Sequence, residues 1–303
     1  MVPILITNHG YRYITNDIGA AQAFGDVKER IYAVKVQQPR LEWGKVCLRA
    51  ERAFEVLSAH YELGVHRRGC FKTRNCGLTM GMGSSVPHLL AESESEKEML
   101  AKFIQEIEQY VRHFTVSARL WMPDLMKEYT DLQVKLFALD CTFRALFPDS
   151  PFCSFTANMG PRTVCNGHRD FWNLVYGTCP IGALGPFNHR TGGHIILHEP
   201  KLIIEFRRGD VMFIPSAAVT HENVPIADGE TRYSFTMYTA GGLFRYAWCG
   251  MRTLKDIREK EEFEELYRSY VAEGPVRWES GWRKYSTIGD LIARARGSSS
   301  KKK

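Results

Sequence analysis

Residues 209–238 read GDVMFIPSAAVTHENVPIADGETRYSFTMY, and the fold turns on how this stretch divides. Gly209-Asp210 is a turn signal, and Val211-Met212-Phe213-Ile214-Pro215 is an apolar run of strand length closed by proline. Thr220-His221-Glu222-Asn223 follows, which puts His221 just beyond a buried strand. From Arg232 the residues alternate: Arg232, Ser234, Thr236 and Tyr238 share one face of a strand, while Tyr233, Phe235 and Met237 share the other. A polar face backed by an aromatic one is what a polar pocket inside a packed barrel requires.

Upstream, Gly167-His168-Arg169-Asp170 holds the only H-x-D of the chain. In extended backbone residues i and i+2 point the same way, so this imidazole and carboxylate can face one ion. His60 and Glu62 make an H-x-E, but the spacing of Phe54, Val56, Leu57 and Tyr61 predicts a helix there, where i and i+2 diverge by about 200°. A lone H-x-D reads equally well as a surface turn; its place ahead of His221 and Arg232 gives it weight. Two imidazoles and a carboxylate on one side of an ion form the facial triad of non-haem Fe(II) sites, which leaves positions open for a 2-oxo acid and dioxygen. The Arg232 fork, with Ser234 as a second donor, matches the distal carboxylate of 2-oxoglutarate.

Further strand candidates lie at 152–157, 162–166, 194–198, 202–206 and 244–248, punctuated by Gly and Pro as in antiparallel barrels and sandwiches. Helical signals group on either side of them instead of alternating, which disfavours a doubly wound parallel sheet. Ser95 and Glu98 read as a capping box before Met99, Leu100, Phe103, Ile104, Ile107, Tyr110, Val111 and Phe114. A second helix is expected from about Asp124 to Leu146. Thr253 caps a third, running past Tyr270 to a stop at Gly274-Pro275, and a last one covers Ile288 to Arg296 before a flexible basic tail, Gly297 to Lys303. The class is α+β, with an N-terminal extension (1–85), helical support (86–150), a strand-rich catalytic core (151–250) and C-terminal helices (251–303) forming one integrated domain.

The composition, 44% hydrophobic and 24% charged over 303 residues, is that of a globular protein. No apolar run is long enough to cross a bilayer and no secretory signal opens the chain, so a soluble, intracellular protein is expected; a monomer is expected as well. The eight cysteines form no C-x-x-C pair and are expected as free thiols in a reducing compartment. The net charge of +6 permits a polyanionic partner without requiring one. Two basic groups, His66-Arg67-Arg68 with Lys72 and Arg74, and Arg283-Lys284 beside Trp282, are candidate phosphate contacts or ordinary solvated surface.

HRDFWN at 168–173, GGHIIL at 192–197, the His221 segment, RYSFTMY at 232–238 and AGGLFRY at 240–246 together resemble the TET/JBP branch of the 2-oxoglutarate oxygenases, most of all its compact basidiomycete fungal members. The resemblance spans about residues 65–255 and is strongest from 160 to 250. It implies a double-stranded β-helix of jelly-roll or cupin type that oxidises the methyl group of a modified base in double-stranded DNA, in the nucleus. By matching position it implies that His168, Asp170 and His221 bind iron and that Arg232, Ser234 and His194 bind 2-oxoglutarate. It further implies that Asn173 hydrogen-bonds a flipped cytosine and that Tyr238 stacks on it. Where animal-type enzymes carry a base-reading His eight residues after the Arg anchor, this chain has Ala240. 5-Methylcytosine is the expected substrate, with N6-methyladenine as the alternative. A protein or small-molecule 2-oxoglutarate hydroxylase would show the same iron motif. A silent DNA-binding module or a cupin-like barrel for another metal would have no need of the convergent Arg232.

Overall fold

The computed structural model describes residues 2–16, 21–38, 42–81 and 83–300. Its helices are α1 (Val2–His9), α2 (Trp43–Ser58), α3 (Glu94–Trp121), α4 (Pro123–Phe137), α5 (Gly241–Trp248), α6 (Leu254–Glu259), α7 (Glu264–Ala272), α8 (Gly274–Arg283) and α9 (Ile288–Ser300). The strands are β1 (Arg12–Ile14), β2 (Gln22–Gly25), β3 (Ile31–Val36), β4 (Gly64–His66), β5 (Gly69–Thr79), β6 (His88–Leu89), β7 (Ser154–Met159), β8 (Cys179–Leu184), β9 (Ile195–Leu197), β10 (Leu202–Ile204), β11 (Val211–Ile214), β12 (His221–Asn223) and β13 (Tyr233–Tyr238).

Period-two patterning sorts these strands into layers. The major sheet runs β2-β3-β11-β8-β13-β7-β5-β4, with β6 on β5, and the minor sheet runs β1-β10-β9-β12. Val211, Phe213, Tyr233, Phe235, Met237, Phe155 and Met159 point outward from the major sheet into one core with the helices. Met212, Ile214 and Ala183 point inward and meet Ile195, Leu197, Leu202 and Ile204 of the minor sheet. The space between the sheets is therefore apolar where β8 and β11 wall it. It becomes polar at β7 and β13, whose inward residues are Thr156, Asn158, Ser234 and Thr236. The polar end holds the site.

The helical layer keeps that wall rigid. Trp43, Cys47, Ala50, Phe54 and Leu57 of α2, and Leu100, Phe103, Ile107, Tyr110, Val111 and Phe114 of α3, recur at helical spacing on buried faces. Phe235 meets Phe114 at 5.9 Å and Phe155 at 5.2 Å between ring centres, while Phe54 lies 5.4 Å from Tyr233. Each such ring contributes roughly 1.5–3 kcal/mol through burial. Gly182 lets α3 come this close, because a Cβ there would overlap the Tyr110 hydroxyl and Phe114.

Several local expectations are corrected. The capping box is Ser93 with Glu96, not Ser95 with Glu98: Glu96 N–H donates to Ser93 Oγ at 3.3 Å, and Ser93 N–H to the Glu96 carboxylate at 3.0 Å. Both frames fit S-x-x-E, and Ser93 holds the extended backbone that a cap needs. α4 ends at Phe137 instead of Leu146, because Asp140 accepts the backbone N–H of Thr142 at 2.8 Å and turns the chain. Residues 244–248 are helical, not a strand: Leu243, Phe244 and Tyr246 are buried on α5, which Gly242 allows to sit against Met80. Residues 162–166 carry only an isolated bridge, Arg162 to Arg232. Thr253 does cap α6, but the helix breaks at Lys260, and Gly274-Pro275 opens α8 instead of ending its predecessor. α9 continues to Ser300, through the start of the expected tail, whose last residues, 301–303, lie outside the described ones.

CPIGAL at 179–184 forms β8, although it is not among the strand candidates of the sequence. Pro180 nonetheless pairs with Phe213, and Gly182 is required by α3. The N-terminal segment supplies strands to both sheets: β3 pairs β11, and β1 pairs β10 in parallel. All eight cysteines are free thiols. Among the described residues no helix is long and apolar enough to cross a membrane.

Candidate active site

His168 and His221 face each other across an isolated antiparallel bridge. His168 N–H donates to His221 O at 3.1 Å, and His221 N–H to His168 O at 3.0 Å. Asp170 N–H donates to Ser216 O at 2.9 Å, which fixes the carboxylate two residues beyond the first imidazole. Asp170 Oδ1 then lies 3.8 Å from His168 Nε2 and Oδ2 lies 4.0 Å from His221 Nε2. One ligand atom from each of the three residues falls within 4.8 Å of the others, a separation suited to holding a single ion between them.

The second nitrogen of each ring sets which atom is offered. His168 Nδ1 is 2.7 Å from Asn166 O and His221 Nδ1 is 3.0 Å from Val219 O. Only an Nδ1–H can donate to a carbonyl, so both Nε2 lone pairs face Asp170. Burial, and next the neighbouring His221, push the His168 pKa down to about 4, so the imidazole is neutral at physiological pH, as a metal ligand must be.

A slot of about 40 Å³ leads inward from these residues, lined by Arg68, Asn158, Asn223, Arg232, Ser234 and Thr236 among others. At its inner end Arg232 is 2% exposed. Its Nη1 donates to Thr163 O at 3.3 Å, its Nε has no partner, and no carboxylate pairs with it among the described residues. Burial lowers its pKa to about 10, which still leaves the guanidinium charged. An unpaired buried cation is costly, and a ligand carboxylate would be its complement. Ser234 Oγ accepts from Asn158 Nδ2 at 3.0 Å, so its hydroxyl proton is free to serve a ligand. Two imidazoles and a carboxylate, with a fork-shaped cation lining the same slot, form a donor set whose chemistry suits Fe(II) and a dicarboxylic 2-oxo acid.

The remaining candidates lie outside the slot lining. His194 is buried with its Nε2 2.8 Å from the Tyr13 hydroxyl, which donates to Glu205; its Nδ1 has no partner. Asn173 donates its amide N–H groups to Ser216 Oγ and Cys179 Sγ, each at 3.3 Å, and its backbone bridges Ala240. Tyr238 lies beyond Thr236 on the same strand face, and burial raises its hydroxyl pKa to about 12. Of the basic residues, Lys72 donates to Ser58 O, Arg74 to Ala91 O, and Arg283 and Lys284 pair with Glu279 and Glu128. Arg67 and Arg68 stay by the site.

Sequence reasoning did not single out Asn158 and Asn223. Asn158 stands opposite Ser234 in the β7–β13 register and is the lone amide in SFTANM, every residue of which is buried. A buried amide in such a strand is the signal that could have found it. Asn223 accepts from Cys165 N–H at 2.8 Å and donates to Thr163 O at 3.3 Å, bracing the segment that leads to His168.

No family model matches the chain, and no curated protein matches it. Among solved structures it is similar to NgTET1 in complex with 5mC DNA, with 14% identity, a TM-score of 0.52, and coverage of 77% of this chain and 83% of that one. It aligns more loosely with a 2OG-Fe(II) oxygenase from Burkholderia pseudomallei (15% identity, TM-score 0.36, 68% and 84% covered). The same holds for OsALKBH1 (12% identity, TM-score 0.38, 68% and 96% covered). In architecture, then, this chain has the jelly-roll fold of the TET1 structure, an α+β protein with its His-Asp-His cluster at the polar end of two facing sheets.

Proposed function

We propose that the chain is an Fe(II)- and 2-oxoglutarate-dependent dioxygenase that oxidises a methylated base in double-stranded DNA, 5-methylcytosine foremost, acting as a monomer in the nucleus. The observation that carries the dioxygenase reading is the pairing of the three converging ligands with a buried, carboxylate-free Arg232 along one slot. The likeness of the fold to NgTET1, solved with 5mC DNA, supports the nucleobase substrate.

When bound, iron with 2-oxoglutarate and dioxygen would supply the oxidising power for hydroxylating a methyl C–H bond. The chain's own work is positional. His168, Asp170 and His221 would hold the ion on one side, Arg232 and Ser234 the co-substrate's far carboxylate, and Ile181 and Ile195 give the slot an apolar part of its lining. A base inside a duplex must leave the stack to reach such a site. Asn173 and Tyr238, one turn beyond Asp170 and at the end of β13, would receive it.

The test is anaerobic reconstitution with Fe(II) and 2-oxoglutarate, then air, with duplexes carrying 5-methylcytosine or N6-methyladenine and methylated peptides as controls. Mass spectrometry of the bases should show hydroxymethylcytosine with matching succinate; succinate without any oxidised base would leave a 2-oxoglutarate oxygenase of another substrate. The adenine arm is included because Ala240, buried beside Asn173, offers no side-chain hydrogen bond to a base edge.

A further inference from the structure

Phe171 and Trp172 follow the ligand Asp170 directly and hold the two central positions of a tight turn, closed by Asn173 N–H donating to Asp170 O at 2.9 Å. Its far side is clamped to α5: Gly241 N–H donates to Trp172 O at 2.7 Å, and Asn173 bridges Ala240. A Cβ on Gly241 would come within 3.0 Å of the Asn173 carbonyl, so the bare backbone is what lets the two segments meet. Both rings nevertheless face water, with Phe171 60% and Trp172 63% exposed. Folding gains little from two large aromatics held out beside a metal cluster, and such a patch marks a contact surface.

The surrounding charges indicate what covers it. The Arg67 guanidinium lies 5.8 Å from the centre of the Phe171 ring, and Arg245 shares a groove of about 410 Å³ with Phe171 and Trp172. Both arginines are exposed, and neither pairs with a carboxylate among the described residues. Arg169, by contrast, is engaged by Glu199 at 2.6 Å. Flat π faces beside free guanidinium groups suit stacked bases on a phosphate backbone.

We infer that Phe171 and Trp172 form an aromatic ledge that stacks on the bases left uncovered in a duplex when the target nucleotide swings toward Asp170, with Arg67 and Arg245 against the flanking phosphates. This rests on the nucleobase reading above. The ledge adjoins an iron ligand in the chain, so bases seated on it neighbour the one whose methyl reaches the metal.

The experiment compares the loaded enzyme with a Phe171→Ala/Trp172→Ala pair and a Phe171→Tyr/Trp172→Phe pair. Substrates are a methylated duplex and its single strand, with 2-aminopurine beside the methylated base to report unstacking. The alanine pair should raise KM for the duplex by about tenfold or more, the size of one lost base–aromatic stack. It should abolish the 2-aminopurine rise and affect the single strand less, while the conservative pair keeps both signals. An unchanged duplex KM in the alanine pair would overturn the ledge and leave base oxidation standing. Equal losses on duplex and single strand, shared by the conservative pair, would overturn it too, as a structural effect. Failure of the unaltered enzyme to oxidise any methylated strand would remove the underlying reading and the ledge with it.

Discussion

His168 and His221 exchange both backbone hydrogen bonds and bring their rings to 4.3 Å between centres, so the two imidazoles are placed by one bridge and not by two independent loops. Substituting either leaves the other correctly held but one ligand short. His168→Ala, His221→Ala and Asp170→Ala should each lower Fe(II)-dependent succinate formation by more than about 100-fold, since even an outer partner of a metal ligand is worth 10–100-fold. Near-wild-type turnover in all three would refute the metal assignment.

Arg232 should show opposite effects on binding and on stability. Arg232→Met removes a buried cation that lacks a carboxylate partner, so the ligand-free protein should unfold at higher temperature, by roughly 1–4 kcal/mol of added stability. The same change should abolish saturable 2-oxoglutarate binding in calorimetry. Arg232→Lys keeps the charge but not the fork, and should weaken 2-oxoglutarate by about 10–100-fold.

Phe235 joins the helical layer to the wall of the site through Phe114, Phe147 and Phe155. Phe235→Ala should destabilise the fold by about 3–5 kcal/mol in urea unfolding. Because Ser234 and Thr236 flank it on the slot face, 2-oxoglutarate affinity should fall as well. A loss in stability with unchanged affinity would show that the helices do not brace the slot.

His113 gives a pH signature away from the metal. It packs 5.1 Å from Trp43, its Nε2 has no partner, and burial pushes its pKa down to about 4. The folded pKa lies below the unfolded value of about 6.5, so the unfolded chain binds the proton more readily. The resulting stability is complete above about pH 6.5 and is lost as pH falls toward 4, by up to about 3 kcal/mol. Asp210 works the other way, its pKa raised to about 6 by burial, so the comparison must be between wild type and His113→Phe. The variant should lose less melting temperature between pH 7 and pH 5; equal losses would show that His113 is not held neutral.

Local pattern carried much of this protein. The i, i+2 placement of His168 and Asp170, the two faces of β13 and the heptad-like spacing of α3 each depend on residues a few positions apart, where strand and helix periods dictate direction. Residues 244–248 misled because Phe-Arg-Tyr-Ala-Trp alternates like a strand, and only the packing of Leu243, Phe244 and Tyr246 on the helical core selects a helix. β8 stayed hidden because Pro180 and Gly182 are local strand breakers whose use here depends on Phe213 opposite and on Tyr110 and Phe114 of a distant helix.

The sequence by itself thus determined the chemistry on offer: two imidazoles, a carboxylate and a guanidinium, in strand order. Only the tertiary structure decided that His221 bonds back to His168, that Arg232 is buried beside Thr163 with no carboxylate, and that Phe171 and Trp172 stay in water. Those outcomes depend on pairings between segments far apart in the chain, and on what the remaining layers leave uncovered. No window of neighbouring residues contains that information.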